Sequence, residues 1–231
     1  MSIYDNYMDI VEKIERAAQS VGKNAKDINL VGATKMQSAQ RINEAISAGL
    51  RTIGENRVQE FMSKYDFVDK PEGFEYHFIG SLQKNKIKYL LGKISLIQSA
   101  DSVALIKEID RLAKKSGVKI PILLEINVAE EASKSGFLKA GLDEAIGEIG
   151  GLANIEVRGL MAIPPIMDES NRSNYRYFDE MHDLFVDING KKYDNVHMDI
   201  LSMGMSEDFE KAILSGSNMV RIGSALFGQR N

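Results

Sequence analysis

The stretch that decides the fold is NLVGATKMQSAQ, residues 29–40. Its first residues are apolar or small and lead to the β-branched Thr34, which predicts a short strand, and Ser38 predicts the start of a helix. A strand followed at once by a helix is the repeating unit of parallel α/β proteins. The turn between these two elements carries a lysine, Lys35, and lacks the Gly-x-Gly-x-x-Gly pattern of dinucleotide-binding turns.

The same pattern recurs along the whole chain. Apolar runs predict eight strands, at residues 29–34, 51–55, 76–80, 94–99, 120–128, 157–163, 198–204 and 219–223. Segments with apolar residues at three- and four-residue spacing separate the runs and predict helices. Eight such units in 231 residues predict one domain, residues 1–231, folded as a closed (β/α)8 barrel. A doubly wound open sheet is the alternative, and the missing glycine pattern argues against it.

Capping residues predict where several helices begin and end. The predicted pairs of start and end are Ser38 and Gly49, Asp101 and Gly117, and Ser206 and Gly216. An extra amphipathic helix precedes the first strand, with its apolar residues at Met8, Ile10, Val11 and Ile14.

Composition excludes several classes of protein. The formal net charge of −4 argues against a general nucleic-acid binder, and no apolar run reaches the roughly 18 residues of a membrane span. The chain has no cysteine, which excludes disulfides and thiolate catalysis and fits a reducing compartment. Its three histidines lie in different segments, so we expect no protein metal site. The N-terminus lacks the features of a signal peptide, and we expect a cytoplasmic location.

Lys35 and Asn56 follow the first two predicted strands, and His77 lies within the third. Active sites of (β/α)8 barrels lie at the C-terminal ends of the strands, where Lys35, Asn56 and His77 are expected. The simpler explanation of Lys35 is a side chain whose stem lies on the core and whose ammonium reaches water. The functional alternative is a partly desolvated amine able to form a Schiff base. Asn56 could equally be a loop or cap residue, and His77 a hydrogen-bonded core histidine.

The loops after the seventh and eighth strands read LSMGMSED and VRIGSALFG, and both suit a phosphate. Gly204 and Gly223 allow close backbone approach, while Ser202, Ser206 and Ser224 offer hydroxyl donors. Phosphate sites of these barrels are frequently built from these two loops. The pair at 223–224 is the better candidate, because two acidic residues follow Ser206. Ordinary turn and cap chemistry also explains each residue taken alone.

Arg221 lies within the apolar run Met219–Ile222, where strand alternation directs its side chain opposite to those of its neighbours. A guanidinium inside a barrel needs a partner, and a ligand could supply it. An amine, a phosphate cradle and an interior arginine together describe a cavity for a small phosphorylated aldehyde. Pyridoxal 5′-phosphate (PLP) is the leading candidate.

Seven motifs carry a family resemblance through nearly the whole chain. In order they are ATK, IGENRVQE, HFIGSLQKNK, EINVAEEASKSG, RGLMAIPP, LSMGMSEDFEKAI and MVRIGSALFG. The sequence resembles the pyridoxal-phosphate homeostasis proteins of the YggS/PROSC type, which are similar to the N-terminal barrel of alanine racemases and of eukaryotic ornithine decarboxylases.

The resemblance implies roles for single residues. Lys35 would hold the cofactor as an internal aldimine, and Arg221 would approach the pyridine nitrogen. Contacts to the phosphate are implied for Ser206, Gly223 and Ser224, and a place in the pocket lining for Asn56 and His77. Many relatives have a second lysine and a proline where this chain has Gln37 and Ser38, which weakens any transfer of cofactor between adjacent lysines. Lys134, after the fifth strand, is the second candidate amine, and the solvated face of a helix is the stronger explanation for most of Lys84, Lys86 and Lys88.

The resemblance favours a carrier over an enzyme. We expect the chain to bind PLP and to buffer or deliver it within vitamin B6 homeostasis, without turnover, and PLP-dependent apo-enzymes are candidate partners. The chain ends at Asn231, soon after the last strand, so we expect no second domain to complete a racemase or decarboxylase site. An amino-acid racemase and a class I aldolase acting through Lys35 are the enzymatic alternatives. We expect a monomer, with a dimer as the alternative.

Overall fold

Eight parallel strands close into one barrel in the computed structural model, which describes residues 2–165, 175–191 and 193–228. The strands are β1 (Asn29–Ala33), β2 (Thr52–Glu55), β3 (Glu75–Phe78), β4 (Leu96–Ala100), β5 (Ile120–Ile126), β6 (Ile155–Ala162), β7 (Val196–Ser202) and β8 (Met219–Ile222). Each strand pairs with the next along the chain, and β8 pairs with β1. The predicted (β/α)8 barrel and all eight predicted strands are confirmed, with ends that shift by up to two residues.

Helices connect the strands around the outside of the barrel. They are α1 (Ile3–Ser20), α2 (Ala39–Ala48), α3 (Val58–Lys64), α4 (Val103–Ser116), α5 (Leu142–Ile149), α6 (Arg176–Lys191), α7 (Phe209–Leu214) and α8 (Ser224–Phe227). The extra helix before β1 is confirmed as α1, which packs against α2, α7 and α8. Among the described residues, no helix combines the length and apolarity that crossing a membrane requires.

The predicted start and end are confirmed for α2. The predicted start is wrong for α4, and the predicted bounds of α7 differ from the observed ones. Ser38 caps α2 through a hydrogen bond from the Arg41 amide, and the helix ends before Gly49. The N-cap of α4 is Ser102 rather than Asp101, because the Ser102 hydroxyl reaches the Leu105 amide.

Two connections are less helical than the sequence suggests. The predicted helix at Ser206 begins only at Phe209 and ends at Leu214, because residues 206–208 form turns that lead into it. Between β3 and β4 the chain forms the 3₁₀ helix Lys84–Tyr89, with Lys84 and Lys88 exposed as expected.

Strand alternation separates an inner from an outer layer of side chains. A small apolar cluster fills the barrel itself and consists of Val31, Leu96, Leu123, Met161 and Met219. The much larger apolar cluster lies between the outer face of the strands and the helices. Because β8 points Met219 inward, Arg221 two residues later also points inward, as predicted.

Among the described glycines, Gly159 leaves the least room for a Cβ atom. It pairs with Ile200 across β6 and β7, at an irregularity of the register, and its φ of +147° lies in the region that favours glycine. A Cβ atom at this position would lie 1.8 Å from the carbonyl oxygen of Ile200. Any side chain would therefore push the two strands apart.

Gly159→Ala is expected to lower the free energy of unfolding by about 3 kcal/mol or more, because backbone strain and steric overlap add. The matched control is Gly147→Ala in α5, where a Cβ atom meets open space and the change is expected to stabilise by up to about 1 kcal/mol. Urea unfolding of the two variants measures both effects. Equal stabilities would contradict this account of Gly159.

Candidate functional site

The pairing of β1 with β8 brings two of the predicted site segments together. Gly32 of β1 lies opposite Ile222 of β8, so the turn that carries Lys35 begins beside the loop at Gly223. The Cβ position of Gly223 is 3.5 Å from Ala33, the last residue of β1. Lys35 itself is partly buried in the turn after β1. The amine and the predicted phosphate loop therefore share one side of the barrel mouth.

A serine from the loop after β7 joins the loop after β8. Ser206 Oγ accepts hydrogen bonds from the backbone N–H groups of Gly223, at 3.3 Å, and Ala225, at 3.2 Å. Ser224 is exposed between these two residues. The structure thus brings the three predicted phosphate residues together around two backbone N–H groups, a type of donor that binds anions.

Asp208, one of the two acidic residues after Ser206, is hydrogen-bonded within its own turn. Asp208 Oδ1 accepts the Met205 amide N–H at 2.6 Å, and burial raises the pKa of Asp208. Gly204 has a packing role, since a Cβ atom there would lie 2.6 Å from the Cβ atom of Ala212 in α7. Its predicted role in close approach to a ligand stays a prediction.

Arg221 is buried inside the barrel and hydrogen-bonded to the protein. Its Nη1 donates to Ser202 Oγ at 2.5 Å, and its Nη2 donates to the carbonyl oxygen of Ala162 at 2.8 Å. Burial lowers the pKa of Arg221 to about 10, against the opposing charges of Glu125 and Asp208. The guanidinium therefore stays protonated at neutral pH and acts only as a hydrogen-bond donor.

A series of side-chain hydrogen bonds continues from Arg221 down the barrel interior. Ser202 Oγ lies 2.7 Å from Gln98 Oε1, and Gln98 Nε2 lies 2.9 Å from Nδ1 of His77. His77 Nε2 then lies 3.0 Å from Glu75 Oε2, and this hydrogen bond holds the pKa of Glu75 below its ordinary value.

The residues at the two ends of this series, Arg221 and Glu75, determine the direction of its hydrogen bonds. A guanidinium only donates and a carboxylate only accepts, so Ser202 accepts from Arg221 and donates to the Gln98 carbonyl. The Gln98 amide then donates to Nδ1 of His77, whose Nε2–H donates to Glu75. Every link points from the arginine towards the carboxylate.

Two of the predicted site residues, Ser202 and His77, belong to this series of hydrogen bonds. Ser202 is fully buried beneath Arg221 and orients its guanidinium, apart from the Ser206 cluster. His77 lies deeper and lines a cavity of about 300 Å³ at the N-terminal mouth, together with Glu75, Asn29 and Asn218. The structure gives both residues partners within the protein, so their direct contact with a ligand stays a prediction.

Asn56 lies directly after β2, with its backbone against the loop after β3. Its Oδ1 is buried and is one of the side-chain atoms for which the described residues offer no hydrogen-bond partner. A Cβ atom on Gly80 would lie 2.2 Å from the Asn56 carbonyl oxygen, which shows how closely the two loops pack. A buried acceptor without a donor is costly, and a ligand that donates a hydrogen bond would relieve that cost.

Lys134, the second candidate amine, differs from Lys35 in its surroundings. It is exposed in the loop after β5, pairs with Glu131 at 2.6 Å and lies 3.4 Å from the carbonyl oxygen of Ile163. Lys134 is thus an exposed residue, whereas Lys35 is a partly buried one. Partial burial is what makes a lysine reactive towards carbonyl groups.

Sequence reasoning missed Gln98 and Glu125. Each is a polar residue in a mainly apolar strand and points inward, the same signal that singled out Arg221. Burial raises the pKa of Glu125 to about 7, with Asp101 adding to the shift and Arg221 opposing it. Within the described part of the chain, His, Asp and Glu side chains never gather in threes at metal-binding distance.

Comparison with known proteins agrees with this architecture. Residues 9–231 match the family model described as alanine racemase, N-terminal domain. A protein of Aquifex aeolicus named pyridoxal phosphate homeostasis protein is 40% identical over the whole of this chain and 99% of its own length. A protein of the same name in Escherichia coli K12 is 37% identical over 99% of this chain and 97% of its own.

A solved structure agrees as well. PipY of Synechococcus elongatus, described as having PLP bound, is 29% identical to this chain and superimposes with a TM-score of 0.80, covering 94% of this chain and all of PipY. Family model and full-length relatives together show that this chain belongs to the pyridoxal phosphate homeostasis protein family, within the alanine racemase N-terminal domain fold.

Proposed function

We propose that this protein binds PLP covalently through the Lys35 amine and takes part in PLP homeostasis, holding or delivering the cofactor without turning over amino acids. One observation carries the proposal: the partly buried Lys35 turn, the Ser206 cluster and the buried Arg221 meet at one end of one barrel. Full-length relatives named for PLP homeostasis, and a related barrel described with PLP bound, support it.

The donor set at this end of the barrel fits PLP. When bound, PLP supplies an aldehyde carbon that condenses with a primary amine and releases water. The hydroxyls of Ser206 and Ser224 would hold the phosphate, and the backbone N–H groups of Gly223 and Ala225, which here donate to Ser206 Oγ, would exchange that acceptor for a phosphate oxygen. The buried Asn56 Oδ1, which has no hydrogen-bond partner among the residues that the structure describes, is a second position at which a ligand that donates a hydrogen bond would be stabilised.

Arg221 sets the electronic character of the site. Its guanidinium donates hydrogen bonds and cannot accept a proton, so an acceptor nitrogen facing it stays unprotonated. Ser202 Oγ and the Ala162 carbonyl hold the guanidinium in place from the protein side. An unprotonated pyridine ring is a weak electron sink, which favours cofactor storage over decarboxylation. Racemases tolerate this arrangement, so an amino-acid racemase is the competing function.

Lys35→Ala is expected to abolish the long-wavelength absorbance of the lysine-bound cofactor while the circular dichroism stays unchanged, because Lys35 lies in the turn after β1 and outside the apolar core. Lys134→Ala is the matched control and should keep the full band, since that amine is solvated and paired with Glu131. Borohydride reduction followed by peptide mapping locates the modified lysine. Finding the label on Lys134 would overturn the assignment.

Ser224→Asp is expected to weaken PLP binding by roughly ten-fold or more, because a carboxylate would stand beside the phosphate. Pyridoxal, which lacks the phosphate, should bind Ser224→Asp and the unmodified protein about equally. Ser47→Asp adds the same charge on an exposed position of α2 and should change neither affinity. Absorbance titrations measure all six affinities, and equal losses for both ligands would place the phosphate elsewhere.

Turnover distinguishes the carrier from the racemase. Purified protein loaded with PLP should racemise or decarboxylate a panel of amino acids no faster than free PLP does. Cells without the protein should show disturbed vitamin B6 pools and defects in several unrelated PLP enzymes. Sustained turnover that disappears in Lys35→Ala, or a defect confined to one metabolite, would establish an enzyme instead.

A further inference from the structure

Two charged residues of α3 bind the backbone on both sides of Lys35. Glu60 Oε2 accepts the N–H of Met36, the next residue, at 2.7 Å. Lys64 Nζ donates to the carbonyl oxygen of Thr34, the preceding residue, at 3.1 Å. The Glu60 and Lys64 side chains, here called the clamp, also bind each other, with Lys64 Nζ 3.1 Å from Glu60 Oε2. The turn that carries Lys35 is thus bonded before and after the lysine to one helix.

The conformation of Met36 shows why the turn needs support. Its φ of 61° is left-handed, which is unfavourable for a residue with a side chain. The Met36 side chain is 70% exposed, so packing contributes little to hold this conformation. The turn closes with a backbone hydrogen bond from the Gln37 N–H to the Thr34 carbonyl oxygen at 3.0 Å, and the bond from the Met36 amide to Glu60 restrains it further from α3.

A buried carboxylate anchors the clamp to the barrel. Glu55 is completely buried at the end of β2, and its Oε1 accepts from Lys64 Nζ at 2.8 Å and from Thr34 Oγ1 at 2.7 Å. The Lys64 side chain is only 12% exposed. Hydrogen bonds with little access to water are strong and directional. Burial raises the pKa of Glu55, while the hydrogen bonds from Lys64 and Thr34 stabilise its ionised form.

The clamp lies behind the site and not in it. A Cβ atom on Gly54 would approach Val31 in the barrel interior, so the adjacent Glu55 faces the opposite, outer side of the sheet. Lys64 and Glu60 reach the turn from that outer side. They therefore bind the main chain next to Lys35 rather than a ligand in the barrel mouth.

We propose that Glu60 and Lys64 are positioning residues, which hold the Lys35 turn so that its amine is presented to the cofactor aldehyde. The inference rests on the proposed function. The clamp lies outside the pocket and would raise the affinity only for a ligand that bonds covalently to Lys35. The ionic state of the clamp agrees with this role. Partial burial of Glu60 opposes its ionisation, but the Met36 N–H and the Lys64 ammonium outweigh burial and lower its pKa.

The test compares two ligands that differ only at the reacting carbon. PLP carries the aldehyde, and pyridoxine 5′-phosphate carries an alcohol that cannot bond to lysine. Lys64→Met and Glu60→Leu are expected to raise the dissociation constant for PLP by about ten-fold, the effect of losing one charged hydrogen bond, and that for pyridoxine 5′-phosphate by less than about two-fold. Glu60→Gln keeps an acceptor for the Met36 amide and should bind PLP more tightly than Glu60→Leu.

A matched control and a second variant keep the test decisive. Lys13→Met removes another lysine from an i,i+4 ion pair, with Asp9 on exposed α1, and should alter neither affinity. Lys64→Met leaves the Glu55 carboxylate buried without its cation, so Glu60→Leu, which preserves that pair, is the test if the first variant unfolds.

Each outcome has one interpretation. Selective loss of PLP affinity supports the clamp. PLP affinities equal to that of the unmodified protein, or equal losses for both ligands, would overturn it. If the unmodified protein shows no lysine-bound absorbance band with PLP, the proposed function fails and not the clamp alone.

Discussion

Closure of the barrel between β1 and β8 is the constraint on which the site depends. The two strands are at opposite ends of the sheet order along the chain, yet their pairing sets Gly32 beside Ile222. Parallel strands all end at the same mouth, so the residues that follow β1 and β8 meet there. Without this pairing the Lys35 turn and the loop at Gly223 would be separate surface loops.

The barrel interior carries an unusual share of polar groups for a protein core. Arg221, Ser202, Gln98 and His77 form one donor-to-acceptor series that ends at Glu75 in the other mouth. Such a network is stable because each member is satisfied by the next. It holds the guanidinium at a defined height in the barrel, where a group that donates hydrogen bonds and cannot accept a proton suits the pyridine nitrogen of the proposed ligand.

Much of the fold was readable from sequence because its signals are local. Apolar runs such as that at Asn29–Ala33, and caps such as Ser38 and Gly49, depend on residues close in the chain. The errors also have local causes. Ser102 and Asp101 are adjacent residues that both suit an N-cap. The connection at Lys84–Tyr89 has few apolar residues at helical spacing and forms a 3₁₀ helix. The prediction that Arg221 points inward followed from alternation alone and is confirmed.

The sequence by itself determined the barrel, the order of its elements and the residue types placed at one mouth, because periodicity and chain order specify which residues end each strand. Only the tertiary structure decided which groups touch. It turned Ser202 towards Gln98, placed His77 near the far mouth, and set Glu60 and Lys64 of α3 on either side of Lys35. Hydrogen bonds between side chains distant in sequence depend on strand register and helix packing, which no local pattern encodes.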